Sequence, residues 1–241
     1  MSGHSQFHNI MYRKGAQDAK RAKMFAKIAR EITVATKLSG SDPNSNPRLR
    51  AALAVARENN MPKDNIERAI AKATSTTDSA NYENVRYEGY GPAGIAIIVE
   101  TLTDNRNRTA AEIRSAFTKM GGNLGEMGSV AFMFNRIGHL VYKTIPGGYD
   151  EAFNFAIETG ADNVTEFDDC TEVTCSVEAF ASVRDAFVRK FGDPSESGLM
   201  WIPMTYTACS EEAKTTLMKL LDLLEDNDDV QNVFHNLEEQ M

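Results

Sequence analysis

Apolar residues recur along this chain in two rhythms, steps of three and four and short continuous runs, and their alternation sets out the architecture. Over residues 23–38 the positions Phe25, Ile28, Ala29, Ile32 and Ala35 form one stripe with Lys27, Arg30 and Lys37 turned elsewhere, which predicts an amphipathic helix. After the turn-rich connector SGSDPNSNP, Asn46 is placed to cap a second helix with Pro47 in its first turn, burying Leu49, Ala52, Leu53 and Ala56. Asn59, Asn60 and Met61 interrupt the pattern, Pro62 restarts it, and Ile66, Ala69, Ile70 and Ala73 stripe a third helix. Three short helices with narrow, alanine-rich stripes predict a small bundle. The polar segment TSTTDSANYEN at 74–84 reads as a linker.

The rhythm then shifts. Residues 85–90 predict a strand. Residues 94–101, with Ile95, Ile97, Ile98 and Val99 opened by Gly-Pro-Ala-Gly, predict a buried one. A helix follows over 107–120, with Ala110, Ile113, Phe117 and Met120 on one face and Gly121 and Gly122 ending it. Residues 130–134 predict another strand. Farther on, strands at 138–144, 163–167, 172–176 and 199–204 alternate with helices at 149–159 and 179–191, a βαββαβ order. A last helix at 211–224 and strand at 229–234 supply the elements that the 85–134 unit lacks. The expected fold class is therefore α+β and multidomain: an N-terminal three-helix bundle plus two α+β domains, the ferredoxin-like one inserted into the other. The expected divisions are 1–76, then 77–135 with 205–241, interrupted by 136–204.

Charge changes this picture more than bulk composition does. The 241 residues carry a net charge of −8, with 42% hydrophobic and 25% charged residues. Residues 1–76, however, hold 14 Lys and Arg against 6 Asp and Glu, while the remainder holds 12 against 28. A basic leading segment carried on an acidic body is the electrostatic pattern of a protein that meets polyphosphate at one end. Residues 1–22, with Arg13, Lys14, Lys20 and Arg21 among small polar residues, predict a mobile cationic arm. No apolar run is long enough to span a membrane or to form a signal peptide, so a cytoplasmic protein is expected. Cys170, Cys175 and Cys209 form no Cys-x-x-Cys pair and read as reduced core or strand residues.

The candidate phosphate-binding residues are Arg13, Lys14, Lys20, Arg21, Lys23, Lys27, Arg30, Arg48 and Arg50, joined by Arg106 and Arg108. The last two lie in Asp104-Asn105-Arg106-Asn107-Arg108-Thr109, at a predicted helix N-terminus. Amides and arginines there favour an anion, or else Asn107 or Asp104 caps the helix while the arginines pair with the acidic body. The glycine run GGNLGEMGS lacks the Lys-Ser/Thr of a phosphate loop and reads as a connecting turn. His4 and His8 lack metal-ligating partners, and His139 and His235 are isolated in the sequence. The acidic run at 225–229 reads as a solvated turn that repels nucleic acid. No nucleophile elbow, metalloprotease motif or purposeful carboxylate pair stands out, so neither an enzyme, a cofactor, a metal nor a small-molecule substrate is expected. Charge reversal at Lys20, Arg21, Lys27 and Arg30 is expected to abolish polyanion binding and to leave folding intact.

Several strings carry a resemblance. Gly3-His4-Ser5, Arg13-Lys14, residues 16–21 (AQDAKR), Asn46-Pro47-Arg48-Leu49-Arg50, residues 61–70 (MPKDNIERAI), YEGYGP, LTDNRNRT, GGNLG-x-x-GSVA-x-MF and Leu224-Glu225-Asp226 with Asp228-Asp229-Val230-Gln231 resemble the YebC/PmpR family along nearly the whole chain. That family includes the mitochondrial translational activator of cytochrome c oxidase subunit one. The resemblance implies a three-domain, non-enzymatic, cytoplasmic protein. It implies DNA-binding transcriptional regulation, as described for some members, or ribosome-associated help with translation, including stalls at proline-rich sequences, as described for others. Gln6 and Phe7 stand where members usually have Lys and Trp, and Met11-Tyr12 replaces a more basic pair, so this arm is less cationic than is typical. The expected partner is nucleic acid, DNA or ribosomal RNA, with the ribosome as the alternative setting and no membrane.

Overall fold

A computed structural model describes residues 17–74 and 82–238, with side chains from residue 21 onward. Helix α1 (Gln17–Ser39) begins six residues before the apolar stripe predicts, so Lys20 and Arg21 belong to a helix and not to an arm. Gly40, at φ +86°, provides the left-handed turn that ends it. Asn46 then joins two helices at once. Its Oδ1 accepts from the Leu49 N–H at 3.0 Å and so caps α2 (Pro47–Glu58). Its Nδ2 donates to the carbonyls of Ala35 and Gly40, at 2.7 and 2.8 Å, closing the end of α1. Helix α3 (Lys63–Thr74) completes the bundle. Ile28, Ile32, Ala35, Leu49, Ala52, Ala56, Met61 and Ala69 bury a small core among the three. The Thr33 hydroxyl, donating across to the Ala69 carbonyl at 3.1 Å, ties α1 to α3.

Two four-stranded sheets make up the rest. The first has the order β3-β1-β2-β8, from β1 (Glu83–Tyr90), β2 (Ala96–Thr103), β3 (Asn123–Leu124) and β8 (Val230–His235). Between them run α4 (Arg106–Lys119) and α7 (Glu211–Glu225). The second sheet has the order β5-β6-β4-β7, from β4 (Phe134–Tyr142), β5 (Asn163–Glu166), β6 (Thr171–Cys175) and β7 (Glu196–Pro203). Its helices are α5 (Gly148–Thr159) and α6 (Phe180–Phe191), and every strand pairing in both sheets is antiparallel. The first sheet thus takes its last strand from beyond the whole βαββαβ segment.

Strand β2 explains its own continuous apolar run, because both of its faces are covered. Ile97 and Val99 face Ile113 and Phe117 of α4 and Leu217, Leu220 and Leu224 of α7. Ala96 and Ile98 face Val130, Phe134 and Trp201, which come from the junction between the sheets. Trp201 is fixed there by its indole N–H, which donates to Glu100 at 3.0 Å, and by Arg86 and Arg136 over its ring at 4.9 and 5.5 Å.

One predicted strand is absent. Residues Ala131–Met133 form a 3-10 turn, and Phe134 opens β4 in the other sheet, opposite Pro203. The cause is Glu88, 1% exposed, whose Oε2 accepts the N–H groups of Val130 and Ala131 at 3.0 and 2.8 Å. With those donors taken by a buried carboxylate, the segment cannot lie in a ladder. Burial pushes the Glu88 carboxyl up, but these backbone donors and the Arg86 charge outweigh it and hold the group below its ordinary range. The position next to the first sheet is filled instead by two-residue β3. It can approach because Gly89 opposes it: a Cβ on Gly89 would lie 2.6 Å from the Asn123 carbonyl oxygen.

Candidate nucleic-acid interface

The cations that the sequence groups together are separated by the fold into three sets. Arg13 and Lys14 lie outside the described residues, as does the side chain of Lys20. Arg21 is exposed, its guanidinium over the Phe25 ring at 5.3 Å, and Arg106 is exposed in the first turn of α4. Arg48 and Arg50 serve the bundle. Arg48 grips Glu31 of α1 with two bonds of 2.5 and 2.9 Å, which holds its guanidinium pKa above the ordinary arginine value. Arg50 donates to the Pro43 and Asn44 carbonyls and lies 3.7 Å from Asp185 of α6.

The third set is directed at the body. Lys23, Lys27 and Arg30 share a face of α1, at spacings of four and three, and that face rests on the end of α7 and the turn after it. Lys23 Nζ is 2.9 Å from Asp226 Oδ1, and Lys27 Nζ donates to the Glu225 carbonyl at 2.7 Å. Arg30 donates to the Asp228 and Leu102 carbonyls at 2.7 and 3.1 Å and to Asp229 Oδ1 at 2.6 Å, with its guanidinium 5.4 Å from the Tyr82 ring. Burial lowers the Lys27 pKa, and the nearby carboxylates of Glu225, Asp228 and Asp226 only partly restore it. The expectation that Lys27 and Arg30 could be reversed without consequence for folding is therefore corrected, since both bond to the adjoining unit.

Asp229 is the centre of this contact. It is 3% exposed, and its Oδ2 lies 2.7 Å from Arg108, 2.6 Å from the Thr109 hydroxyl and 3.1 Å from that of Thr103. Its main-chain carbonyl accepts from Leu102 at 2.8 Å, continuing the edge of β2. Burial pushes its carboxyl up, but Arg108, Thr109, Arg30 and Thr103 together hold it below the ordinary aspartate range. The acidic run 225–229 is thus only in part the solvated turn that its composition suggests: Asp226 and Asp228 are exposed, and Asp229 is buried. The anion that the first turn of α4 holds is the protein's own: the Arg108 guanidinium and the Thr109 hydroxyl bind Asp229. Asn105, and neither Asn107 nor Asp104, caps that helix, its side chain accepting from the Arg108 N–H at 3.1 Å. Arg108 completes the arrangement by bridging Asp104 at 3.0 Å.

A second contact holds the other side of the bundle. Arg57 at the end of α2 lies 3.6 Å from Asp193, and a cleft of about 380 Å³ is lined there by Ala54, Glu58, Tyr142 and Lys143. Burial pushes the carboxyls of Glu58 and of nearby Glu196 up to about 7, helped on Glu58 by the Asp193 carboxylate and on Glu196 by that of Glu58. Glu196 Oε2 is buried without a hydrogen-bond partner among the described residues. No spacing motif in the sequence marks this pair, since it forms only when α2 lies against β7.

The remaining predicted groups are placed as follows. His139, isolated in the sequence, pairs with Glu172 in the second sheet, both nearly buried. The three cysteines are unbridged, and burial first pushes the thiols of Cys170 and Cys175 up to about 11, away from thiolate chemistry. The glycine run is the connection through β3, with Gly121 and Gly128 at positive φ. Among the described residues no group of three or more His, Cys, Asp and Glu is arranged to hold a metal, and no helix is long and apolar enough to cross a membrane.

Comparison with known proteins agrees with this architecture. Residues 5–76 match the family description "TACO1/YebC protein N-terminal domain", and residues 82–237 match "TACO1/YebC second and third domain". The chain is also similar to the crystal structure of a conserved hypothetical protein, Aq1575, from Aquifex aeolicus. The two are 40% identical with a TM-score of 0.81, and the match covers 95% of each chain.

Proposed function

Because the chain belongs to the TACO1/YebC family, a family of regulatory proteins matched here along nearly its whole length, we propose that it is a non-enzymatic, nucleic-acid-binding regulator of gene expression. It engages phosphates through its basic N-terminal region, as a DNA-binding transcriptional regulator. The observation that carries this reading is the division of charge, 14 cations against 6 anions in residues 1–76 and the reverse imbalance after them. Such a distribution draws a polyanion to one end by releasing its counterions and keeps it off the other. Arg21, exposed in α1 and preceded in the sequence by Lys20, Lys14 and Arg13, is the reference point of that end.

A second reading, attachment to ribosomal RNA as a translation factor, draws support from α3. Its exposed face mixes Lys63, Arg68 and Lys72 with Asp64 and Glu67, which would bring carboxylates into a DNA groove. A folded RNA is recognised through shape, 2′-hydroxyls and splayed bases, without a helix having to enter a groove. The two readings separate in one preparation: mobility shift on duplex DNA beside co-sedimentation with ribosomes, each at low and high salt. The triple variant Lys14→Glu, Lys20→Glu, Arg21→Glu should lose the binding that the wild type shows and keep its melting temperature. Undiminished binding by that variant would reject the basic-region reading.

A further inference from the structure

We propose that the acidic turn after α7 is a latch over the phosphate-binding face of α1: in the closed state residues 225–229 occupy Lys23, Lys27 and Arg30, and a nucleic-acid backbone competes with the turn for the same three cations. The inference rests on the reading above, that the N-terminal region binds nucleic acid. The oxygens that the turn presents are the kind a phosphate backbone offers. They are the Asp226 carboxylate at 2.9 Å from Lys23, the Glu225 carbonyl at 2.7 Å from Lys27, and the Asp228 carbonyl and Asp229 carboxylate at 2.7 and 2.6 Å from Arg30. The Glu225 and Asp226 groups lie at the C-terminus of α7, where the helix dipole adds partial negative charge.

The contact is graded, which lets a competitor displace it from one end. The outermost pair, Lys23 with Asp226, has side chains 41% and 60% exposed, so solvent and salt weaken it. Lys27 is next, hydrogen-bonded to a main-chain oxygen with the carboxylates of Glu225, Asp228 and Asp226 nearby. Arg30 is innermost, but its departure does not strand a buried charge, because Asp229 keeps Arg108, Thr103 and Thr109. Opening therefore exposes three cations on one helical face and leaves a satisfied carboxylate behind. In the closed state the same cations are unavailable, and affinity is reduced by the fraction of molecules that are closed.

The test uses the full chain with Asp226→Asn and Asp228→Asn together, both exposed positions. A control variant, Glu158→Gln with Glu166→Gln, removes the same charge from an exposed surface of the second sheet's unit. Binding is titrated with a labelled duplex DNA and, separately, a labelled RNA hairpin. The latch variant should bind at least one of them about fivefold more tightly than the wild type, the equivalent of one exposed ion pair lost from the closing equilibrium, and the control should not. Binding by the latch variant alone supports the proposal as well. If the wild type binds and the two variants are indistinguishable, the latch is overturned and the nucleic-acid reading stands. If no protein binds either probe, both fall. Zero-length carbodiimide coupling of Lys23 to Asp226, mapped by mass spectrometry, gives an independent reading. It should decline when a bound probe is present, and coupling unaffected at saturation would overturn the latch.

Discussion

The bundle is held against the body on two sides, and the two contacts follow opposite electrostatic rules. On the α1 side Lys23, Lys27 and Arg30 each meet an oxygen, and a buried aspartate is surrounded by donors. On the α2 side Glu58 and Asp193 line a cleft and Glu58 acts in turn on Glu196, with Arg57 and Lys143 as partial compensation. Desolvation penalises charge in both places, but only the first offers enough partners to overcome it. Accordingly burial wins at Glu58 and Glu196, whose carboxyls rise, and loses at Asp229, whose carboxyl falls. One side is built to stay charged and the other is near balance at neutral pH.

The sharpest break of this comparison is at Asp229. Replacing it with Ala removes the carboxylate shared by Arg30, Arg108, Thr103 and Thr109, leaving Arg30 its carbonyl partners and Arg108 its Asp104, and should cost about 2–3 kcal/mol of unfolding free energy, measured by urea titration. The acid limb checks the cause. A carboxyl held below its ordinary range contributes stability that is present above the unfolded-state pKa and is lost as pH falls through the folded-state value. The wild type's advantage over Asp229→Asn should therefore hold at neutral pH and vanish in strong acid. An advantage independent of pH would mean that shape, not charge, makes this joint.

How far the sequence reveals these joints follows from what periodicity can report. Stripes such as Ile28, Ile32 and Ala35, or Leu217, Leu220, Leu221 and Leu224, state which face of a helix is buried, and helices form over them, α1 extending farther toward the N-terminus than its stripe. The βαββαβ order and the late return of β8 to β2 are legible for the same reason. The 130–134 strand misleads because its apolar residues are covered by Trp201 from another unit while Glu88, forty-two residues away from Val130, takes its amide. The acidic run misleads similarly. Composition cannot distinguish Asp226, exposed, from Asp229, buried, although Asp229 stands at the entry to an apolar strand and Thr103, Arg108 and Thr109 wait in a single string. The α2 contact leaves no local trace at all, since Glu58 and Glu196 are neighbours only in three dimensions.

At that second contact the expected effect is smaller and has the opposite sign in pH. Groups whose folded-state pKa is raised contribute stability that is full below the ordinary glutamate value and is lost as pH rises through about 7. Melting temperature should thus fall between pH 5 and pH 8, and Glu196→Gln should flatten the curve and raise the pH 8 value by about 2 °C, corresponding to roughly 1 kcal/mol after allowing for solvent screening. A wild-type profile already flat over this range would show that Arg57 and Lys143 neutralise the cleft.

The smallest stability effect belongs to the outer rim of the first contact, and there stability and binding part company. Lys23→Ala and Asp226→Asn each remove one exposed ion pair, so each should change unfolding free energy by no more than about 0.5 kcal/mol. Their effects on a polyanion differ in direction. Lys23→Ala deletes a phosphate contact and should lower the salt slope of binding by about one, whereas Asp226→Asn deletes only the competitor and should tighten binding. Two substitutions indistinguishable by urea but opposite in a titration with DNA or RNA would locate the effect in the competition for Lys23. The same sign from both would assign the pair to docking alone.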